Sequence, residues 1–129
     1  NINNCSWTGI WLVSDGANIE NNILYNAGII INNEPGYNPS NNLIRNNRIY
    51  GGNQYWRARD TGIYLWYPTF NNTIDGNEIK TNGYGIAISD EFGKSTGIII
   101  KNNTIYSKTG GIDDHGTLTD LSGNQQILI

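Results

Sequence analysis

The chain is poor in the residues that tie, punctuate or charge most domains: its 129 residues include one cysteine, no methionine, one histidine and three prolines. A lone Cys5 makes an internal disulfide impossible, and the thiol is expected as a small buried apolar group. No apolar run approaches the roughly 18 residues that a membrane span needs. No apolar stripe at helical spacing lasts ten residues either, which points away from helices. Charge is scarce, and 8 basic against 11 acidic residues, a net of −3, gives no basic footprint for nucleic acid. With neither a methionine nor a basic-plus-apolar leader, residue 1 is not expected to be a translation start. What is plentiful is asparagine, glycine (16) and aromatic rings (eight Tyr, four Trp), a lysine-poor balance that suits an extracellular protein.

The asparagines are not scattered. One phrase, aliphatic-x-(Asn/Gly)-Asn-x-aliphatic, appears at Ile19–Leu24, Ile44–Ile49, Ile74–Ile79 and Ile100–Ile105, with a worn copy at Leu121–Gln126. A truncated copy is expected at Asn3-Asn4-Cys5. The second Asn recurs after 25, 30, 26 and 21 residues, from Asn22 through Asn47, Asn77 and Asn103 to Asn124. A fixed phrase with elastic connections describes a solenoid, in which each unit buries its apolar side only by stacking on neighbours. Between the phrases lies a second motif, Gly followed by alternating apolar residues, at Gly9–Leu12, Gly28–Ile31, Gly62–Leu65, Gly85–Ile88 and Gly111–Asp114. Its period of two and β-branched content read as short strands. The residue before each ladder Asn is Asn21, Asn46, Gly76, Asn102 or Gly123, types that accept a left-handed backbone at little cost. Each coil should therefore bend there, with the next Asn turned inward to bond the backbone of adjacent coils.

These phrases resemble the right-handed parallel β-helix repeats of pectate-lyase-like proteins, polysaccharide hydrolases and epimerases, and phage tailspikes. The resemblance covers residues 3–126 and is most typical at Asn71–Ile79 and Lys101–Tyr106. It implies an all-β, single-stranded right-handed parallel β-helix of about six coils, roughly 30 Å long. Leucine-rich and strictly hexapeptide left-handed solenoids fit less well, because the leucine consensus and the fixed period are missing. Residues 1–129 are expected as one domain with an inserted loop at 51–61, and as a piece of a longer solenoid whose flanking coils are missing. Because the same repeat serves enzymes, adhesins and spacers, function must be argued from side chains.

Stacking the Gly-led strands in register places outward residues in columns, Trp11-Ile30-Tyr64-Ala87-Asp113 and Val13-Asn32-Trp66-Ser89-His115. The loops that follow add Asp15, Glu34, Tyr67, Asp90, Glu91 and Asp114. Aromatic rings beside carboxylates suit sugars, whose C–H faces stack on rings while their hydroxyls need polar partners. Alternatively these rings are ordinary strand formers packed under loops. The insertion spends seven more residues between Asn47 and Gly62 than the chain spends between Asn77 and Gly85, and it contains Tyr55, Trp56, Arg57, Arg59 and Asp60. Arg57 and Arg59 are candidates to grip a uronate carboxylate in bidentate fashion. Alternatively they pair with Asp60 or Glu34 and hold the loop down. The stretch Gly111-Ile112-Asp113-Asp114-His115-Gly116 is similar to the Gly-Ile-Asp-Pro-His-Asp strand of mannuronan C5-epimerases, with Asp114 and Gly116 as departures. That similarity implies proton transfer by Asp113 and His115. The carboxylate pairs Asp113/Asp114 and Asp90/Glu91 are candidate oxygen ligands for Ca²⁺.

Two function classes follow. The first is an extracellular domain that binds or acts on a polysaccharide, favouring an acidic one by lyase- or epimerase-like chemistry. Its site comprises Trp11, Tyr55, Trp56, Tyr64, Trp66, Tyr67, Asp90 and Glu91 for substrate, with His115, Asp113, Arg57 and Arg59 as candidate catalytic groups. The second is a structural or adhesive solenoid that stacks end to end through Asn3–Cys5 and Gln126–Ile129 into a filament or surface spike.

Overall fold

The computed structural model describes residues 1–32 and 39–129. Glu34, one expected partner for the loop arginines, lies outside the described residues.

Among the described residues, sixteen short strands fall into three wholly parallel sheets. The first holds β1 (Ile2–Asn3), β4 (Ile23–Ala27), β7 (Arg48–Gly51), β10 (Glu78–Thr81), β13 (Thr104–Ser107) and β16 (Gln125–Leu128). The second holds β2 (Ile10–Leu12), β5 (Ile29–Ile31), β8 (Ile63–Leu65), β11 (Tyr84–Ile88) and β14 (Gly110–Asp114). The third holds β3 (Asn18–Glu20), β6 (Leu43–Arg45), β9 (Thr73–Asp75), β12 (Ile99–Lys101) and β15 (Asp120–Ser122). The chain visits second, third and first sheet in rotation, so each coil hydrogen-bonds only to the coils above and below: a parallel β-helix. The Gly-led phrases are the strands of the second sheet, and each Asn phrase is the corner between the third sheet and the first.

That corner is built as the sequence predicts. Asn21, Asn46, Gly76, Asn102 and Gly123 all have φ between 54° and 69°. The next residue turns inward: Asn47 Oδ1 accepts the backbone N–H of Asn22 at 3.0 Å, and Asn77 Oδ1 accepts that of Asn47 at 2.9 Å. The ladder continues through Asn103, whose Oδ1 accepts from Asn77 at 2.9 Å, to Asn124, which accepts from Asn103 at 3.1 Å. From Asn47 onward each amide nitrogen donates to a carbonyl of the coil behind, as Asn77 Nδ2 does to Ile44 at 3.0 Å, whereas Asn22 Nδ2 donates to the Glu20 carbonyl of its own coil at 3.1 Å. No buried amide at this corner is left without a partner, which is why Asn rather than a purely apolar residue repeats there.

Two features differ from the expectation. Asn3-Asn4-Cys5 is not a copy of this corner, because Asn3 pairs with Tyr25 and the Asn4 N–H donates to the Tyr25 carbonyl. The segment lies past the first sheet, where Asn26 Nδ2 donates to Asn4 Oδ1 at 2.8 Å, and Cys5 is half-buried against the core. A shorter second ladder also stands at the entrance to the third sheet. Asn41 and Asn71 take left-handed φ, Asn42 Oδ1 accepts from Ala17 N–H at 2.8 Å, and Asn72 Oδ1 accepts from Asn42 N–H at 3.0 Å. It stops where Ile98 replaces the amide.

The interior is stacked aliphatics: Leu24, Ile49, Ile79 and Ile105 from the first sheet, Ile19, Ile44, Ile74 and Ile100 from the third, and the Ile and Leu ends of β5, β8 and β11 from the second. Between the first and second sheets the walls come so close that only glycine fits. A Cβ on Gly62 would lie 2.5 Å from Ile79 Cγ2 and 2.7 Å from the Gly85 carbonyl. In the last coil, polar residues occupy core positions. Asp114, opposite Ile88, accepts from Gly116 N–H at 2.8 Å and Thr119 Oγ1 at 3.0 Å, while Gln126, opposite Ile105, accepts from Ile112 N–H at 3.0 Å.

Candidate functional site

The outer face of the second sheet holds most of the candidates, in the predicted register. Trp11 stands opposite Ile30, Ile30 opposite Tyr64, Tyr64 opposite Ala87 and Ala87 opposite Asp113. The next residues continue the ladder, with Asn32, Trp66, Ser89 and His115 each donating a backbone N–H to the coil before.

The insertion decides which rings remain accessible. After left-handed Gly51 and Gly52, it folds back across this sheet, and Asn53, fully buried, donates through Nδ2 to the Thr61 carbonyl at 2.8 Å. Backbone N–H groups of Gln54 and Tyr55 both donate to the Trp7 carbonyl at 2.8 Å, pinning the loop to the first coil. A single 3₁₀ turn, Trp56–Ala58, follows. Tyr55 and Ala58 close over Ile30 and Trp66, making a second apolar core outside the solenoid with Trp11, Tyr64 and Tyr67 at its edge. Tyr55 and Trp66 therefore have little free ring surface, and Ile30, in an outward column, is completely buried. The open ring surface belongs instead to Trp56, 68 % exposed, and to Trp7 (59 %) and Phe92 (46 %). Trp7 stacks on Trp11 with centroids 5.9 Å apart, and Phe92 on Tyr67 at 4.4 Å and nearly parallel. Trp7 and Phe92 lie outside the strand motifs, so sequence periodicity gave no signal for them.

Arg57 pairs with neither Asp60 nor any other residue of its own loop. It forms an ion pair with Glu91, thirty-four residues on, and its guanidinium lies 4.5 Å from the Trp56 ring centroid and 5.4 Å from that of Trp66. The second Glu91 oxygen accepts from Trp66 Nε1 at 3.3 Å. The Arg57 hydrogen bond holds the Glu91 carboxyl below its usual range, with burial opposing and the Trp66 indole assisting. Arg59 is exposed.

Beside this latch lies an open cleft of about 300 Å³, lined by Arg57, Tyr64, Tyr84, Asp90, Asp113 and His115 among others. His115 Nε2 is 3.1 Å from Asp113 Oδ1, so the carboxylate fixes the ring. The Tyr64 hydroxyl is pushed up by burial, with Ser89 acting in the opposite direction. The candidate cation ligands do not converge. Asp113 turns to His115 and Asp114 to Gly116 and Thr119, while Glu91 is engaged by Arg57. Among the described residues, no three acidic, His or Cys side chains cluster as a metal site.

The cleft thus unites three of the four catalytic candidates, His115, Asp113 and Arg57, and leaves Arg59 outside its lining. The exposed Trp56 ring forms a ledge beside the cleft, 4.5 Å from the Arg57 guanidinium that lines it. No curated protein and no solved structure matches the chain. The family model described as the right handed beta helix region matches residues 1–125, spanning every ladder asparagine and all three sheets, and the chain belongs to that right-handed β-helix family.

Proposed function

We propose that this is an extracellular domain that binds an acidic polysaccharide across the second-sheet face. The reading rests on one juxtaposition: the exposed ring of Trp56 lies 4.5 Å from the Arg57 guanidinium, which lines a cleft that also contains His115, Asp113 and Asp90. Rings offer stacking surface to sugar C–H faces, and the polar cleft offers partners to hydroxyl and carboxylate groups. Arg57 meets a uronate only by exchanging Glu91, whereas exposed Arg59 is free of an ion pair among the described residues. If the site turns substrate over, elimination or epimerisation suits it better than hydrolysis. In that chemistry His115, oriented by Asp113, would take the proton at C5, which the adjacent carboxylate acidifies. From the resulting enolate, expulsion of the 4-linked sugar, whose oxygen takes up a proton, gives a C4=C5 double bond; alternatively, with that bond kept, return of a proton to the other face of C5 gives the epimer.

A glycan array followed by ultraviolet detection of the unsaturated product tests this. Binding with product supports a lyase, binding without turnover or epimerised product supports a binding module, and no retention of any acidic glycan refutes the reading. A second reading, an end-to-end solenoid, draws support from the exposed Leu121, Ile127, Leu128 and Ile129 of the last coil. Asp114 and Gln126 in core positions of that coil oppose it, since an apolar stack cannot continue over them without stranding polar groups. Light scattering decides: concentration-dependent growth abolished by Leu128→Lys supports a filament, and a monodisperse monomer refutes it.

A further inference from the structure

The outer face of the first sheet, on a different side of the solenoid from the cleft above, carries its own column of rings. Tyr25, Tyr50, Lys80 and Tyr106 stand opposite one another on successive coils, from β4 to β13. Tyr25 and Tyr50 stack with centroids 5.4 Å apart. Lys80 then interrupts the stack, and no ring contact joins Tyr50 to Tyr106. Two coil steps separate those rings, roughly 9.6 Å, which is about twice a stacking separation. An open depression of about 320 Å³ occupies the gap, lined by Tyr50, Glu78, Lys80 and Tyr106. A second of about 370 Å³ adjoins it, sharing Tyr50 and Lys80 and reaching Tyr25 and Lys108.

The charge here is opposite to that of the whole. Arg48, Lys80 and Lys108 face a single carboxylate, Glu78, on a chain of net charge −3. Glu78 is occupied, since it accepts the Tyr50 hydroxyl hydrogen bond. Among the described residues, neither lysine ammonium has an ion-pair partner. Both depressions are open rather than enclosed, and their linings follow successive coils from Tyr25 to Tyr106, a layout suited to an extended chain rather than to an enclosed small molecule.

We propose that this face is a second glycan site, which takes a linear anionic polysaccharide lengthwise. One acidic sugar ring sits between Tyr50 and Tyr106 over Lys80, and Lys108 pairs with a neighbouring acidic group. Carboxylate and sulfate ester share the chemistry that the lysines read. The proposal does not rest on the second-sheet reading, and the test separates the two.

Affinity electrophoresis in gels containing polygalacturonate, heparin or neutral dextran is run in a Trp56→Ala background, which weakens the second-sheet ledge. Retardation by polygalacturonate, heparin or both, with none by dextran, is expected, and the pattern names the acidic group. Lys80→Glu with Lys108→Glu should weaken it by about tenfold, from two exposed ion pairs replaced by repulsion. Tyr106→Ala should weaken it severalfold, with circular dichroism and melting unchanged. Retardation that survives charge reversal, that dextran matches, or that ignores Tyr106→Ala overturns the proposal, the last because it marks mere electrostatic adsorption. An unaltered affinity on introducing Trp56→Ala alone counts instead against the second-sheet site.

Discussion

Replacing Asn77 by Ala removes one rung from the middle of the ladder and should be among the costliest single substitutions in the chain. Asn77 is 1 % exposed. Its Oδ1 accepts from both the N–H and Nδ2 of Asn47, at 2.9 and 3.0 Å, and its Nδ2 donates to the Ile44 carbonyl at 3.0 Å and Asn103 Oδ1 at 2.9 Å. Some partners keep other bonds: Asn47 Nδ2 still reaches the Ile19 carbonyl, and Asn103 Oδ1 still accepts the Asn77 N–H. The groups stripped of this partner are therefore the Asn47 N–H and the Ile44 carbonyl. At about 1 to 3 kcal/mol for each of these two stranded buried groups, the expected loss is about 2 to 6 kcal/mol. Asn124 provides the control, because it makes the equivalent bonds to Asn103 and Ile100 but is only half-buried. Water can replace its amide, so Asn124→Ala should cost about 1 kcal/mol or less. Urea unfolding followed by tryptophan fluorescence gives both values, provided the slopes agree. Equal losses for the two variants, or a loss below about 0.5 kcal/mol for Asn77→Ala, would refute the argument that burial of the ladder sets its worth.

Gly62→Ala should destabilise by about 1 to 3 kcal/mol in thermal melts, because Ile79 and the Gly85 backbone leave no room for a methyl group. Ile30→Ala should cost about 2 to 5 kcal/mol and accelerate tryptic cleavage at Arg57 and Arg59, since Ile30 is the floor on which the insertion sits. Arg57 lowers the Glu91 carboxyl in the folded state, so the latch is intact at and above the ordinary glutamate range and is lost as pH falls through the lowered value. Fluorescence of Trp66 should report that acid transition, and Glu91→Gln should abolish it.

The fold was legible because its corners obey a strict local rule. A left-handed residue followed by an inward amide must recur wherever a coil turns into the first sheet, and five copies of the phrase betray it. The outward columns were legible for the same kind of reason, since a period of two fixes which side chains align. The second ladder gave a fainter signal: Asn41-Asn42 and Asn71-Asn72 repeat the pair, but Ala17 and Ile98 break the series on either side. The first segment misled because Asn3-Asn4 imitates the phrase while serving a different corner. The site was legible only as a set of residues. Nothing local to Tyr55 or Trp66 says that the insertion returns over Ile30 and buries both rings, and nothing near Arg57 names Glu91. Such contacts depend on the path of a long loop across a finished sheet, which periodicity does not encode.

The central functional claim is that an acidic glycan lies on the second-sheet face, and the four indole N–H signals test it most directly. Titration of the ¹⁵N-labelled chain with oligogalacturonate should shift the indoles of exposed Trp7 and Trp56 first and broaden His115, while Trp66, held by Glu91, moves less. Indole and His115 signals that stay fixed at saturating oligosaccharide would contradict the account.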